Sequence, residues 1–315
     1  MPITAHVRRL VFAWLVGSID FCDRRARMFA KAERFFRINA DDFGWTEAHN
    51  RAVKRAAGVL THASLMACGD AVENAALVAS HLPGLSVGAH LQLCEGQPLT
   101  RALFHTDLTQ PSGAFYDGLS PLLASYLRGR LPLSAIEAEW RAQIERLLRL
   151  GLKLSHLDGH KHVHILPPLL SLTCRLARVY EIPYVRTPLE KASGRAVKRL
   201  PGYLSLSGLA WLGKKVVRRH GLQTADHFTG FSESGRMTEA DLLSAIVRAR
   251  PGLTEIMVHP ADEGPELAPL RSRFAFANRY QFSTELSALL SPQVARALSH
   301  TGTLLSPTVS PGKTA

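Results

Sequence analysis

The feature that most constrains the fold is an alternation of short apolar runs with longer amphipathic stretches. Apolar runs of strand length lie at 34–40, 60–66, 86–93, 153–157, 182–186, 225–230 and 255–259, with a further candidate at 302–306. Strands that alternate with helical segments indicate βαβ units and a parallel sheet. The sequence therefore predicts an α/β protein, and its length is normal for a single (β/α) barrel.

Two helices have recognisable beginnings. The segment 134–150 carries apolar residues at helical spacing: Ile136, Trp140, Ile144 and Leu147. Ser134 followed by Glu137 predicts a capping box at the start of this helix. Thr238 followed by Asp241 predicts a similar start for another helix.

Composition indicates a globular chain with one large domain. Of 315 residues, 46% are hydrophobic and 20% are charged, which is enough apolar material for a sizeable core. We expect an N-terminal extension over 1–30, a single barrel domain over 31–300, and a flexible C-terminal tail over 301–315, where Pro, Ser and Gly are frequent.

The four cysteines and the N-terminal apolar run bear on the compartment. The cysteines form no CxxC pair, which argues against a zinc knuckle or a disulfide framework and favours a reducing cytoplasm. The run 10–19 resembles the apolar region of a signal peptide, but Asp20 ends it and no small-residue cleavage site follows. We expect a cytoplasmic protein, peripheral at the inner face of the membrane.

The charge of the chain limits its partners. A net charge of +12 favours polyanions, either nucleic acid or an anionic membrane surface. The segment 191–219 has eight Lys and Arg residues, no acidic residue, and Trp211 and Tyr203 among leucines. This composition is typical of an interfacial membrane segment, or of a solvated loop and helix whose leucines pack on the barrel. No nucleic-acid-binding signature is present, so we expect no nucleic-acid partner.

Polar side chains recur near the ends of the predicted strands. They are Asp41, Asp42, His90, Asp158, His160, Arg186, Asp226, His227 and His259. The carboxyl ends of parallel barrel strands share one rim, so these side chains are expected to meet there.

Histidines beside carboxylates are typical of a divalent-metal site. Burying several ionisable groups together costs several kcal/mol unless a cation or hydrogen bonds compensate. One aspartate and two histidines leave coordination positions open, and a second carboxylate nearby can serve as a general base. His162 and His164 either orient ligands or pack at a turn, and Asp158 either lies at the site or caps a turn.

Four motifs occur in a characteristic order over residues 34–262: "NADDFG", "GAHLQL", "SHLDGHKHVH" and "TEIMVHPA". They resemble the signature blocks of the YdjC-like carbohydrate deacetylases. "TADHFTGFSESGRMTEADLL" further resembles the hopanoid-biosynthesis-associated HpnK branch. The resemblance implies a TIM-barrel-like (β/α) barrel, irregular or incomplete, that removes an N-acetyl group from an amino sugar. The substrate implied for the branch is an N-acetylglucosaminyl hopanoid lipid.

The resemblance also implies roles for individual residues. Asp42, His90 and His160 match metal ligands for one divalent ion, Mg²⁺ or Zn²⁺. Asp41 matches the base, although the two aspartates are interchangeable at this stage.

The remaining positions are expected to act around this centre. His259 would protonate the leaving amine, and Arg186 would orient Asp41 or the substrate. Substrate-binding positions are His162, His164, Asp158, Asp226 and His227. Alternatives are a deacetylase of soluble chito-oligosaccharides, another metal-dependent amidohydrolase or phosphohydrolase, or a basic membrane-surface protein. A homodimer is left open.

Overall fold

The computed structural model describes residues 33–190 and 200–305, and within 200–207 it describes the backbone alone. The predicted N-terminal extension 1–30 and the tail residues 306–315 lie outside the described residues. So do residues 191–199 of the basic segment. The predicted domain bounds stay a prediction.

All eight predicted strands are present, with shifted ends. They are β1 (Arg34–Phe43), β2 (His62–Leu65), β3 (Ser86–Leu91), β4 (Leu154–Gly159), β5 (Tyr184–Val185), β6 (His227–Thr229), β7 (Gly252–Val258) and β8 (Thr303–Leu304). They pair in parallel in the order β5-β4-β3-β2-β1-β7-β6, with β8 against the start of β1. The predicted α/β fold class is confirmed.

The barrel is incomplete. β5 and β6 are the two ends of the strand order, and isolated parallel bridges join this part of the described chain, Tyr184 with Gln223 and Glu190 with Phe228. The sheet therefore curls into a partial barrel rather than closing through a ladder of hydrogen bonds.

Helices cover the outside of the sheet. They are α1 (Glu47–Arg55), α2 (Val72–Ser80), α3 (Ser120–Leu127), α4 (Leu133–Arg149), α5 (Pro167–Val179), α6 (Leu200–Arg219), α7 (Glu239–Val247), α8 (Leu267–Arg273), α9 (Phe282–Leu289) and α10 (Pro292–Thr301). A 3-10 turn, His160–Ile165, follows β4. No helix within the described ranges has the length and apolarity to cross a membrane.

The two predicted helix starts have different outcomes. α7 has the predicted capping box, because Thr238 Oγ1 accepts from the Asp241 N–H and Asp241 accepts from the Thr238 N–H. The prediction of a capping box at Ser134 and Glu137 is wrong. α4 begins after Pro132 without a side-chain cap, and Glu137 instead accepts from Arg141 on the next turn at 2.8 Å.

The first strand is longer than predicted and contains both aspartates of the doublet. Between Ala40 and Phe43 the register against β2 shifts, so that three residue steps in β1 face two in β2. Asp42 has a left-handed backbone, with φ of 62°, and Gly44 follows with φ of 84°. Aspartate tolerates this region better than most residues, and glycine adopts it freely. This bulge changes the direction of Asp42 relative to an ordinary strand.

The inside of the barrel is polar. Along β1, Arg37, Asn39 and Asp41 alternate with Ile38 and Ala40, and all five are buried. The apolar pair belongs to the core beneath the helices, whereas Asn39 and Asp41 make hydrogen bonds across the barrel. Period-two alternation thus separates an apolar outer layer from a polar lumen.

Candidate metal centre

Three buried side chains converge at the carboxyl end of the barrel. Asp42 comes from the end of β1, His90 from β3, and His160 begins the 3-10 turn after β4. The Asp42 Oδ1 atom lies 3.0 Å from His160 Nδ1 and 3.5 Å from His90 Nε2. The structure therefore brings together the three residues predicted to hold an ion.

Local backbone geometry aims these side chains inward. The bulge in β1 directs Asp42 towards the histidines, and His160 is followed by Lys161 and His162, whose φ angles are 52° and 56°. Left-handed conformations at non-glycine residues cost free energy and are often found at functional sites. The tight turn fixes His160 at the rim of the barrel.

Each candidate histidine ligand is backed by a carboxylate. His90 Nδ1 donates to Asp158 Oδ1 at 2.7 Å, which leaves Nε2 directed at Asp42. His160 Nε2 lies 2.8 Å from Glu95 Oε2, which leaves Nδ1 directed at Asp42. A carboxylate in this position fixes the ring and the tautomer and raises ligand basicity.

The donor set fits a divalent ion. Two imidazoles and one carboxylate suit a zinc-type ion, and atoms about 2.1 Å from one ion at tetrahedral angles lie about 3.4 Å apart. The 3.0 and 3.5 Å separations found here are close to that value. The identity of the ion does not follow from these atoms, because imidazole and carboxylate ligands also accommodate other divalent ions.

Asp41 is held by Arg186 beside this cluster. Arg186 is fully buried, and its Nη1 and Nη2 atoms donate to the two Asp41 oxygens at 2.7 Å each. Asn39 Nδ2 also donates to Asp41 Oδ1 at 2.7 Å. The expectation that Arg186 orients Asp41 agrees with this geometry, and full burial leaves Arg186 no exposed surface with which to contact a substrate.

A second group of close ligand atoms, from Asp41, His90 and Asp158, is an ion-pair network. Arg186 Nη2 lies 2.9 Å from Asp158 Oδ2 as well as contacting Asp41. A buried guanidinium already supplies the positive charge that a metal would supply there. Within residues 33–190 and 200–305 no arginine contacts the Asp42 cluster, which is therefore the better candidate for an ion.

Burial and neighbouring charges oppose each other at the cluster. Burial would raise the pKa of Asp42, but His160, His259 and His90 lower it below the ordinary value. Burial would lower the pKa of His160, but Asp42 and Glu95 raise it to about 9. Both shifts have the cause expected when a carboxylate and imidazoles share a buried space.

His259 lies at the same rim, after β7. Its backbone N–H donates to Glu285, and its ring centroid lies 5.3 Å from that of Tyr280. Val258 pairs with Ala40, so His259 lies beside the aspartate doublet at the end of the sheet. Its proposed role as an acid stays a prediction.

His162, His164 and Asp158 are buried behind the site. His164 Nε2 donates to the Arg186 carbonyl at 3.0 Å, and burial lowers the pKa of His164 to about 4. The His162 ring lies 6.0 Å from that of Phe228. Asp158 lies within β4 and is fully buried, so the turn-capping alternative is wrong. These positions suit orientation of the cluster better than the substrate contact that was expected.

Asp226 and His227 are not at the site, and their expected place in the substrate pocket needs correction. His227 pairs with Thr254, which pairs with Phe36, at the amino-terminal end of the sheet. At about 3.3 Å per residue this level lies about 16 Å from Asp41. Asp226 accepts from the Leu253 N–H, and His227 Nε2 donates to the Pro251 carbonyl. Both residues stabilise local structure at the opposite end of the barrel.

Sequence reasoning missed Glu95 and Glu255. Glu95 follows β3 in a loop, has a φ of 60°, and contacts both His160 and Lys161. An acidic residue directly before Gly96 is the one signal that would have singled it out. Glu255 lies in the "TEIMVHPA" motif and accepts from Arg186 Nε at 2.8 Å.

The fold and the cluster define an α/β barrel-type protein with a candidate divalent-metal site at the carboxyl ends of its strands. Residues 36–300 match the family described as YdjC-like protein, and the chain belongs to that family.

Three relatives illustrate the match. A carbohydrate deacetylase of Mus musculus is 28% identical over 296 residues, covering 85% of this chain and 92% of the relative. A carbohydrate deacetylase of Vibrio campbellii (strain ATCC BAA-1116) is 30% identical over 266 residues, covering 82% and 90%. A crystal structure from Enterococcus faecalis V583, provisionally described as a cellobiose-phosphate cleavage protein, superposes with a TM-score of 0.65 at 25% identity, covering 87% and 97%.

Replacing the carboxylate behind His160 should weaken metal binding. We expect Glu95→Gln to lower the affinity for Zn²⁺ about 10- to 100-fold, because the amide no longer fixes or polarises the ring. Isothermal titration of the metal-free protein measures this change. Glu47→Gln removes the same charge from an exposed position on α1 and should leave the affinity unchanged. Equal affinities for Glu95→Gln and the wild type would contradict the assignment.

Proposed function

We propose that the chain is a metal-dependent hydrolase that removes the N-acetyl group from an amino sugar. The observation that carries the proposal is the buried convergence of Asp42, His90 and His160, with Asp41 fixed beside it. The mouse and Vibrio relatives named carbohydrate deacetylases support an acetylated carbohydrate as the substrate class.

Asp42, His90 and His160 would hold the ion, which when bound polarises an acyl oxygen and makes a water molecule more acidic. Asp41 is the base that takes the proton of the attacking water. Arg186 and Asn39 donate hydrogen bonds to the Asp41 carboxylate and keep it in one orientation. His259, on the same rim, donates a proton to the nitrogen of the departing amino sugar, so that the amine leaves as a neutral group.

An arc of aromatic rings beside the cluster supports a sugar substrate. Trp45 lies edge-on to His160 with centroids 5.2 Å apart, and Phe276 is stacked against Trp45 with centroids 5.8 Å apart. Tyr280 continues the arc, 5.2 Å from Phe276 and 5.3 Å from His259. The arc therefore spans from one candidate ligand to the proposed acid. Aromatic faces beside a catalytic site provide apolar contact for the C–H face of a pyranose ring.

The same donor set serves other hydrolyses, and fold alone does not fix the reaction. Acetate release separates the alternatives. Wild-type protein should release acetate from an N-acetylated amino sugar, and a chelator should stop the release. A protein that binds metal but releases no acetate from any N-acetylated sugar would overturn the proposal in favour of another amidohydrolase or phosphohydrolase.

Substituting the two aspartates should separate their tasks. Asp42→Asn should lose most metal affinity, because a neutral amide replaces a ligand carboxylate. Asp41→Asn should keep the metal and lower kcat about 10²- to 10⁴-fold, the usual contribution of a general base. Metal titration and acetate release measure the two effects, and Asp70→Asn, at an exposed position, is the control. The reverse pattern would mean that the roles are exchanged.

Removing the aromatic ring of Phe276, the central residue of the arc, should impair substrate binding. We expect Phe276→Ala to raise KM about 3- to 10-fold with a smaller change in kcat, because an aromatic contact contributes about 0.5–1.5 kcal/mol. Phe276→Tyr should retain the wild-type KM. Leu127→Ala, on the exposed face of α3, controls for loss of a large apolar side chain. An unchanged KM in Phe276→Ala would exclude stacking at this ring.

For the finer substrate we propose an N-acetylglucosaminyl hopanoid lipid, handled by a cytoplasmic protein at the inner face of the membrane. The motif resembling the HpnK branch supports this, and α6 supplies an exposed surface. Trp211 and Leu212 are each 53% exposed, and Lys215 Nζ lies 3.7 Å above the Trp211 ring. Val217 packs inward. An exposed aromatic and aliphatic pair beside a cation is suited to a membrane interface.

Lys214 and Arg218 contribute less to that surface than the sequence indicates. Lys214 Nζ donates to the Asp226 carbonyl at 2.8 Å, and Arg218 lies 3.2 Å from the Asp226 carboxylate. The exposed residues Lys215 and Arg219 are therefore the better probes of an electrostatic contact.

Anionic vesicles should bind the protein through α6. We expect wild type to cosediment with vesicles containing anionic lipid at low salt, and Lys215→Glu with Arg219→Glu to reduce the bound fraction severalfold, at about 1 kcal/mol per basic residue near the surface. Arg128→Glu with Arg130→Glu makes the same charge change at exposed positions elsewhere. No binding by wild type would exclude the contact. Equal acetate release from soluble chito-oligosaccharides and the lipid-linked sugar would exclude the finer substrate.

A further inference from the structure

A cavity lies at the amino-terminal end of the barrel, opposite the candidate metal centre. Its volume is about 670 Å³, and its lining includes the first residues of four strands: His62, Ser86, Leu154 and Tyr184. None of the candidate metal ligands lines it. This cavity is therefore separate from the site described above.

Arg37 enters this cavity from β1 with an unsatisfied guanidinium. The residue is only 3% exposed, and its Nε and Nη2 atoms have no hydrogen-bond partner in the described part of the chain. Burying hydrogen-bond donors without acceptors is unfavourable, and charged donors are the most costly. A native structure rarely retains such donors unless water or another acceptor reaches them.

Glu255 does not meet this need. Its Oε1 atom is 3.7 Å from Arg37 Nε, beyond hydrogen-bonding distance, while the same atom accepts from Arg186 at 2.8 Å. The other oxygen, Oε2, accepts from the Tyr184 hydroxyl at 2.5 Å. Glu255 thus partly compensates the positive charge of Arg37, but it accepts no hydrogen bond from the Arg37 Nε–H group.

The guanidinium is also held in one orientation. Its Cζ atom lies 4.1 Å from the centre of the Tyr184 ring, the usual stacking distance. A fixed, planar group with free N–H donors is suited to bind a carboxylate or phosphate through two parallel hydrogen bonds. Lys153, exposed among the lining residues, adds a second positive charge.

The rest of the lining is mixed, with the polar side chains of His62, Glu181 and Gln223 beside apolar ones. Leucine and valine side chains form much of the wall, among them Leu82, Leu85, Val87, Leu152 and Leu253. The cavity is also far larger than a phosphate or carboxylate group alone. We propose that it binds a small amphiphile, with an oxyanion head on Arg37 and an apolar body along the leucines.

Titration with simple amphiphiles tests this site independently of the proposed deacetylation. The probes are hexyl phosphate, hexanoate and inorganic phosphate. Each is titrated into the full-length wild type, and binding is measured by isothermal titration calorimetry. One saturable site is expected for at least one amphiphile, at least about tenfold tighter than inorganic phosphate, since each buried methylene strengthens binding about fourfold. The tighter amphiphile identifies the head group as phosphate or carboxylate.

Three variants locate the binding. Arg37→Met should abolish it and still fold, because Glu255 keeps its bonds to Arg186 and Tyr184. Lys153→Glu, at an exposed position, should weaken it about threefold or more and serves if Arg37→Met is unstable. Lys54→Glu makes the same charge change on the exposed side of α1 and should have no effect. No saturable binding to wild type, or wild-type affinity in both Arg37→Met and Lys153→Glu, would overturn the proposal.

Discussion

The buried guanidinium of Arg186 joins the elements on which the site depends. It contacts Asp41 of β1, Asp158 of β4 and Glu255 of β7, three carboxylates from strands far apart in the sequence. Without it, three negative charges would share a space from which water is excluded, at a cost of several kcal/mol. Those contacts raise the pKa of Arg186 well above its ordinary value, despite the opposing effect of burial. The lumen is therefore stable as a charged network and not as an apolar core.

The network extends from Arg186 to the cluster along one line of contacts. Asp158 receives the guanidinium on one oxygen and the His90 ring on the other. Asp41 shares the Nη2 atom of the guanidinium with Asp158 and directly precedes the candidate ligand Asp42 in the chain. One arginine thus fixes both the proposed base and the orientation of the candidate ligand His90. Arg186 itself has no access to solvent.

Much of the fold follows from the sequence because apolar runs are local signals, whereas the ligand assignments are implied by the family resemblance. Apolar runs locate strands, and a parallel sheet brings the ends of β1, β3 and β4 together with Asp42, His90 and His160. Contacts between distant segments leave no such signal. Glu95 meets His160 from a loop far earlier in the chain. The predicted cap failed for a local reason, because the helix begins at Leu133 and Ser134 lies inside its first turn. The prediction for Asp226 and His227 was wrong because these residues lie at the beginning of β6 and not at its carboxyl end.

The central position of β1 has a dynamic consequence. It pairs with β7 along most of its length and with β8 and then β2 on its other edge, so its amide groups are shielded on both sides. Segments with such pairing are the last to open in native-state hydrogen exchange. The aspartate doublet follows this segment directly, at the bulge between Ala40 and Phe43 where the ladder is interrupted. We expect exchange to be slowest up to Ala40, so the doublet is anchored by a strand that stays closed while the bulge itself can open.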